Sequence, residues 1–306
     1  MDFKSVKVLV PATTANLGPG FDCLALALDL WNEATFEPAK NGYKVLIDGE
    51  GKDELPMDEK NLIIKSALAV FQKIGKMPAG LKITCLNRIP LSSGLGSSAA
   101  AIMMGLLGAN EMMGKPLRNE DLLKLASERE GHADNAAAVL YGGLVVVLVD
   151  AGTVIYRKFD LPEMEVVVAI PKLELPTHTA RKALPSSVDF KDAVFNSSRT
   201  PLVVEALRTG DLQLLGQVMQ DRLHQPYRLP LIPGAELALA AAVKQGAAAA
   251  ALSGAGPSVI AFLEIGSSKK DVVREAMVAA FRNSGMTVRG FDLTISNKGA
   301  RAWSLE

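Results

Sequence analysis

The stretch Pro90-Leu91-Ser92-Ser93-Gly94-Leu95-Gly96-Ser97-Ser98-Ala99-Ala100 constrains this chain most, because it runs a glycine and serine loop straight into an apolar helix. Glycine lets the backbone turn and lets a ligand approach it closely. The small residues after Gly96 open a helix whose unpaired N–H groups carry partial positive charge. Such a loop suits an anion, a phosphate chain in particular. The adjacent hydroxyls of Ser97 and Ser98 offer ligand positions to a metal–phosphate complex. A plain structural turn is the competing reading. Gly94 to Ala99 also fits the loose dinucleotide pattern G-x-G-x-x-A, but the strand before it, Gly80 to Asn87, alternates polar and apolar residues where that pattern asks for a buried strand. No Gly-Lys-Ser/Thr ending follows, so it is not a P-loop.

A chain of 306 residues with 49% hydrophobic and 22% charged residues holds a sizeable core and has room for two domains. Its 33 basic and 33 acidic residues cancel, so no overall field points to nucleic acid or to an anionic membrane. Cys23 and Cys85 are too few for a disulfide framework, and no Cys/His cluster has zinc spacing, which suits a reducing cytoplasm. Met1-Asp2-Phe3-Lys4 leads into a charged strand, not an apolar signal region, so neither export nor a membrane span is expected.

Along the chain, Ser5 to Val10 alternates as a half-buried strand. Pro11-Ala12-Thr13-Thr14-Ala15-Asn16-Leu17-Gly18-Pro19-Gly20-Phe21-Asp22 then reads as a rigid loop dense in short polar side chains. Asn16 and Asp22 there can jointly hold an amine and a hydroxyl of a small ligand, or the loop can simply turn the chain. Strands are expected over Cys23 to Trp31, Asn32 to Phe36, Tyr43 to Asp48 and Leu81 to Asn87, with a helix over Asn61 to Gly75. The helix from Ser97 through Met113 is apolar nearly all round and must be buried, its methionines serving as core filler. A second helix, Asn119 to about Arg129, ends in Glu128-Arg129-Glu130-Gly131-His132-Ala133-Asp134-Asn135. A solvated helix end accounts for Glu128 and Arg129 but less well for His132, Asp134 and Asn135.

After a break at Phe159-Asp160-Leu161-Pro162-Glu163 the pattern continues with a buried strand, Val166 to Ile170. Then follow a basic loop around Thr177 and Arg181, helix from about Thr200 to Leu223, a loop over Gln225 to Pro233, and an alanine-rich helix and strand. The tail reads as helix Lys269 to Asn283 and strands Thr287 to Arg289 and Phe291 to Ile295.

Four separated stretches, in order, resemble the GHMP small-molecule kinases over almost the full length. They are Pro11 to Asp22, Pro90 to Ala100, Glu130-Gly131-His132-Ala133-Asp134-Asn135, and a third glycine loop, Leu252-Ser253-Gly254-Ala255-Gly256-Pro257-Ser258-Val259. The run Thr13 to Asp22 is most similar to the homoserine kinase branch. Many other members carry a basic residue and a different loop there, which argues against mevalonate-type or galactose-type substrates.

The resemblance implies an α+β, two-domain GHMP-kinase-like fold. Residues 1–161 would form a ribosomal-S5-domain-2-like N-terminal domain and residues 162–306 a C-terminal ferredoxin-like α/β sandwich, with ATP between them. The implied reaction is ATP-dependent phosphorylation of the L-homoserine hydroxyl, a step toward threonine. The Pro90 to Ala100 loop, with Gly254 and Gly256, would hold ATP, and Ser98 with Glu130 would hold Mg²⁺, Glu128 being the fallback. The resemblance sets the substrate ammonium against Asp22, the hydroxyl near Asn16, His132 and Asn135, and the carboxylate against Arg181 and Arg228 beside Thr177. A zwitterion needs such an acid and such a planar fork. Asn16, Glu130, His132 and Asn135 would then carry the chemistry. Asp134 stands where other members have a catalytic aspartate, yet positioning and electrostatics are expected to do the work in its place. A homodimer is implied as well. The rival functions are a sister kinase of another hydroxy amino acid such as L-threonine, and a non-catalytic nucleotide-binding protein on the same fold.

Overall fold

Strand β1 (Val6–Ala15) begins with buried and half-buried residues alternating and ends buried throughout, as a central strand must. The computed structural model that shows this describes residues 3–305; Met1 and Asp2, which open the segment read above for a signal, lie outside the described residues. β1 runs antiparallel to the 15-residue β2 (Leu24–Pro38), with a shift in register between Pro11 and Ala12. The length of β2 makes it the spine of the first sheet. Its start pairs with β5 (Leu144–Asp150), and its end pairs with β4 (Gly80–Asn87). β3 (Gly42–Gly49) joins β4 in parallel, and β6 (Thr153–Phe159) extends β5.

Four helices cover this sheet: α1 (Leu62–Ile74), α2 (Ser97–Met112), α3 (Asn119–Glu130) and α4 (Asp134–Tyr141). Asn61 starts α1 by accepting a bond from the Ile63 N–H at 2.9 Å, and Gly75 stops it in the left-handed conformation. α2 is buried on nearly every side, with Met103, Met104 and Met112 in the core as expected. Two of its glycines set the packing distance. A Cβ on Gly105 would lie 2.2 Å from the Ile63 carbonyl oxygen, and one on Gly108 would lie 2.5 Å from the Phe36 ring.

The second unit is a four-stranded antiparallel sheet in the order β10 (Val288–Thr294), β7 (Met164–Pro171), β9 (Val259–Glu264), β8 (Ala249–Leu252). Between β7 and β8 lie α5 (Thr177–Lys182), α6 (Phe190–Thr209), α7 (Leu212–Val218), α8 (Gln225–Arg228) and α9 (Ala235–Lys244). α10 (Lys270–Asn283) joins β9 to β10. Counted by strands and the helical layers between them, this is the β-α-β-β-α-β order of a ferredoxin-like sheet, the class expected. Period-two alternation divides its core. Val166 and Val168 face the cluster shared with the first unit, while Val167 and Ala169 face the one beneath α9 and α10.

Several local expectations give way. Pro11 to Ala15 is strand, because the register shift absorbs Pro11. The two strands expected between Cys23 and Phe36 are one, Leu24–Pro38, and the two expected between Thr287 and Ile295 are one, Val288–Thr294. Thr177 to Lys182 is a short helix, α6 begins at Phe190 and runs through Pro201, and Gln225 to Leu231 winds into α8 and a 3₁₀ turn. The final strand β11 (Arg301–Ser304) leaves the second unit and pairs with β1, so the sequence interval 162–306 does not stay in one sheet. Asn297 bonds both the N–H and the carbonyl of Leu161 at 2.8 Å, which ties the two connecting segments together. No helix among the described residues is long and apolar enough to cross a membrane.

The Gly105 contact gives a test of sign. Gly→Ala in a helix interior normally stabilises by about 1 kcal/mol, but overpacking a core costs about 1–3 kcal/mol. With a backbone oxygen as the obstacle the second effect should win, so Gly105→Ala is expected to lower the urea midpoint at unchanged m-value.

Candidate active site

A cleft of about 690 Å³ opens between the two units, floored by the glycine loops. Gly94 and Gly96 both have positive φ, as does Gly254 opposite them. A Cβ on Gly94 would lie 2.3 Å from the Ser253 carbonyl oxygen, so only glycine lets the two loops touch. The carbonyls of Ser93 through Gly96 in the first loop are engaged elsewhere. Ser258 and Ser253 donate their hydroxyls to Ser93 and Gly94, Thr13 N–H donates to Leu95, and Ala100 N–H donates to Gly96. With the carbonyls turned away and no side chain capping α2, the opening N–H groups of that helix are left for an anion. A Cβ on Gly96 would meet the Thr13 hydroxyl at 1.9 Å, and that hydroxyl donates to Asn135 Oδ1 at 2.8 Å.

A second wall is the strained turn from Asn16 to Asp22. Asn16, Leu17 and Asp22 all have positive φ, a concentration that marks a functional constraint when the surroundings enforce it. Here they do. Asn16 accepts from the Asp22 N–H at 3.0 Å and donates to the Gly254 carbonyl at 2.7 Å. From the second unit, Asn196 and Thr200 donate to the Pro19 carbonyl, and His224 donates to the Gly18 carbonyl at 2.7 Å.

Charges complete the cleft. Asp22 and Arg181 form a bidentate pair across the units, both bonds 2.8 Å, which raises the Arg181 pKa. His132 Nδ1 lies 2.7 Å from Asp134 Oδ1. Burial works against a charged ring, but Asp134 and the nearby charges of Glu130 and Asp22 outweigh it and raise the His132 pKa to about 9, leaving an imidazolium at neutral pH. Glu130 follows the opposite course. Burial raises its carboxyl to about 7 against the pull of His132 and the Ser98 hydroxyl, and its Oε2 has no hydrogen-bond partner among the described residues. Arg228 is only 1% exposed and makes no ion pair among the described residues. Burial first, then the charge of Arg181, lowers its pKa to about 10.

Residues 61–143 match the family described as GHMP kinases N terminal domain, and residues 203–283 match GHMP kinases C terminal. The homoserine kinase of Moorella thermoacetica is 46% identical over 294 residues, 96% of this chain and 98% of the relative. That of Caldanaerobacter subterraneus subsp. tengcongensis is 45% identical over 97% of this chain and 95% of its own length. The chain belongs to the GHMP kinase family. A crystal structure of homoserine kinase from Cytophaga hutchinsonii superposes with a TM-score of 0.87 at 32% identity, covering 98% of this chain and 97% of that one. This GHMP kinase is accordingly an ATP-dependent small-molecule kinase.

Most residues singled out from the sequence of the kinase meet in the cleft. Asn16, Asp22, Ser92, Ser93, Gly94, Gly96, Ser97, Ser98, Ala99, Glu130, His132, Asn135, Thr177, Arg181, Arg228, Gly254 and Gly256 line it, together with Leu91 and Asp134. Pro90, Leu95 and Ala100 are buried outside its lining, Leu95 because its carbonyl anchors β1. Glu128 is exposed and outside the cleft, whereas Glu130 lines it. Asp22 and Arg181, expected on opposite ends of one ligand, hold each other. Sequence reading missed Leu55, Pro56 and Ile63, apolar residues that line the cleft around the start of α1, and Lys60 beside them. A loop followed by a well-capped helix was the available signal. It also missed Thr13 and Ser253, whose hydroxyls join the motifs.

Glu130 yields a pH-dependent prediction. Its folded pKa is raised from 4.5 to about 7, so the protonated carboxyl is compatible with burial below pH 4.5 and stability is lost as pH rises through 7. Without divalent metal, Glu130→Gln should raise the Tm above pH 7 by an amount corresponding to on the order of 3 kcal/mol, and change it little below pH 4.5. Thermal melts at the two ends of that window check it.

Proposed function

We infer that this kinase transfers the γ-phosphoryl group of ATP to the side-chain hydroxyl of L-homoserine, giving O-phospho-L-homoserine and ADP, as a cytoplasmic homodimer in the route to threonine. The observation that carries the reading is the polarity of one cleft. One end offers uncapped helix N–H groups behind a glycine loop, and the other offers Asp22, Arg181 and a buried, unpaired Arg228. A phosphate chain fits the first and a small zwitterion the second. The homoserine kinases that resemble this chain along its length support the choice of amino acid.

In this reading the loop Ser92 to Ala99 binds the triphosphate through backbone amides, and the apolar end near Leu55, Pro56 and Ile63 receives the base. Asp22 takes the substrate ammonium, and Arg228 with Arg181 takes its carboxylate, so substrate entry exchanges the Asp22–Arg181 pair for contacts of the same charge type. Asn16, Asn135 and Thr177 bound the space for the hydroxyl. His132, held as an imidazolium by Asp134, donates toward the oxygens on which charge builds up; it is not a base. Asp134 Oδ1 already accepts from His132 and from the Asn135 N–H at 2.7 Å, which suits a positioning role. Phosphoryl transfer asks mainly for alignment and charge neutralisation, so no strong base is required.

Glu130 and Ser98 fit a divalent cation. A buried carboxylate oxygen without a partner and an adjacent hydroxyl are the hard oxygen donors Mg²⁺ takes. When bound there, Mg²⁺ would neutralise phosphate charge.

A coupled ADP-release assay with homoserine, threonine, serine and mevalonate tests the substrate, and homoserine should be used far ahead of the rest. A dominant response to threonine would move the reading to a sister kinase. For the carboxylate, Arg181→Leu should raise KM for homoserine roughly ten- to a hundredfold, the worth of a charge-assisted contact, with KM for ATP nearly unchanged. Equal damage to both would put Arg181 on the nucleotide.

A further inference from the structure

Arg228 presents a puzzle of burial. A guanidinium that is 1% exposed with no carboxylate partner among the described residues needs acceptors to hold it in place, and those it has there are the Ala180 carbonyl at 3.4 Å, the Gly254 carbonyl at 3.3 Å and His224 Nδ1 at 3.4 Å. The two carbonyls belong to main chain that other bonds fix. The imidazole is the one side chain among the three, and its protonation state decides whether it attracts or repels Arg228.

The surroundings of His224 settle the tautomer. Its Nε2 lies 2.7 Å from the Gly18 carbonyl oxygen and 3.5 Å from Asp221 Oδ2, two acceptors that require a proton on that nitrogen. Burial and the charge of Arg228 keep the ring from taking a second proton. Nδ1 is therefore a bare lone pair facing the guanidinium. The ring itself is clamped. Phe21 stacks on it with centroids 5.3 Å apart, and the Phe21 ring centre also lies 5.0 Å from the Arg228 guanidinium. The backbone beneath it is pinned by Asp221, which is buried and accepts from the N–H groups of Leu223, His224 and Gln225 and from the Asn196 amide.

We propose that His224 is a positioning residue for substrate recognition: through Nδ1 it holds Arg228 in the cleft to receive the carboxylate of the amino-acid substrate, while its Nε2–H fastens the strained 16–22 turn. Asp221 sets the turn from which His224 projects. The proposal rests on the homoserine reading, since Arg228 is given a carboxylate to bind.

Two variants separate the jobs of the two nitrogens. The amide of Gln reaches about where Nε2 sits and keeps the donor to Gly18; the oxygen of Asn lies about where Nδ1 sits and keeps the acceptor for Arg228. With His224→Gln, KM for homoserine should rise roughly tenfold, the loss of one contact to a charged group, while kcat and KM for ATP stay within about twofold. His224→Asn should recover most of that loss. The same preparations are then given 3-aminopropan-1-ol, homoserine without its carboxylate, read as substrate or as competitive inhibitor. There the penalty of His224→Gln should vanish. Because both ligands are compared on one preparation, partial unfolding cancels from the ratio. The inference is overturned if Gln behaves as wild type while Asn is impaired, which leaves only the Gly18 fastening. It is equally overturned if neither variant changes KM for homoserine, or if the penalty persists with the aminoalcohol. A wild-type enzyme that does not phosphorylate homoserine overturns the underlying reading, and this inference with it. A wild-type enzyme that does, with any of those three overturning patterns, sinks the inference alone.

Discussion

The contact between the phosphate loop and the third glycine loop is what the rest of the site depends on. Gly94 and Gly254 bring backbone against backbone across the two units, and Ser253 and Ser258 spend their hydroxyls on the carbonyls of that first loop. Carbonyl oxygens repel phosphate, so engaging them elsewhere is what converts a serine-rich turn into an anion site. The same Ser253 hydroxyl lies 2.9 Å from Thr14 Oγ1, and Gly254 N–H donates to Ala15, so the contact also fastens β1 and the strained turn behind it. Three motifs far apart in the chain become one surface through a few buried hydroxyl and amide bonds.

The acids of the cleft have different fates because their partners differ. Asp22 is matched by Arg181 and Asp134 by His132, each through short bonds. Glu130 makes no ion pair among the described residues, its Oε2 is buried without a partner there, and its carboxyl rises to about 7. A group left in this state costs stability, which natural proteins tolerate where function needs it. That asymmetry, rather than any cluster of ligands, marks Glu130: among the described residues no group of three acidic, His or Cys side chains is arranged to hold a metal.

Much of this was legible beforehand because glycine, proline, serine and polar clusters signal unusual backbone locally. The phosphate loop and the His132–Asn135 cluster stand out within a dozen residues of sequence, whereas Arg181 reads locally only as part of a basic loop and gains its role from the family resemblance. What stayed hidden depends on distance. His224 reads as an isolated histidine, and its acceptor at Gly18 is 206 positions away. Thr13 looks like one more turn residue until Asn135 comes beside it. Among the elements, α4 was missed because its first residues are the polar cluster itself, and β11 because four residues carry no periodicity. Pro11 suggested a loop, although a register shift lets the strand continue past it.

The return of β11 to the first sheet makes the second unit an insertion held by two tethers. Those tethers, near Leu161 and Asn297, are not independent, since one asparagine side chain grips the backbone of the other at both its donor and its acceptor. A body hung on a single strand can swing and twist about many axes; one hung on two clamped strands is restricted to rocking about the clamp. Any widening of the cleft has to part the glycine loops and the Asp22–Arg181 pair while this clamp and the shared core stay in place.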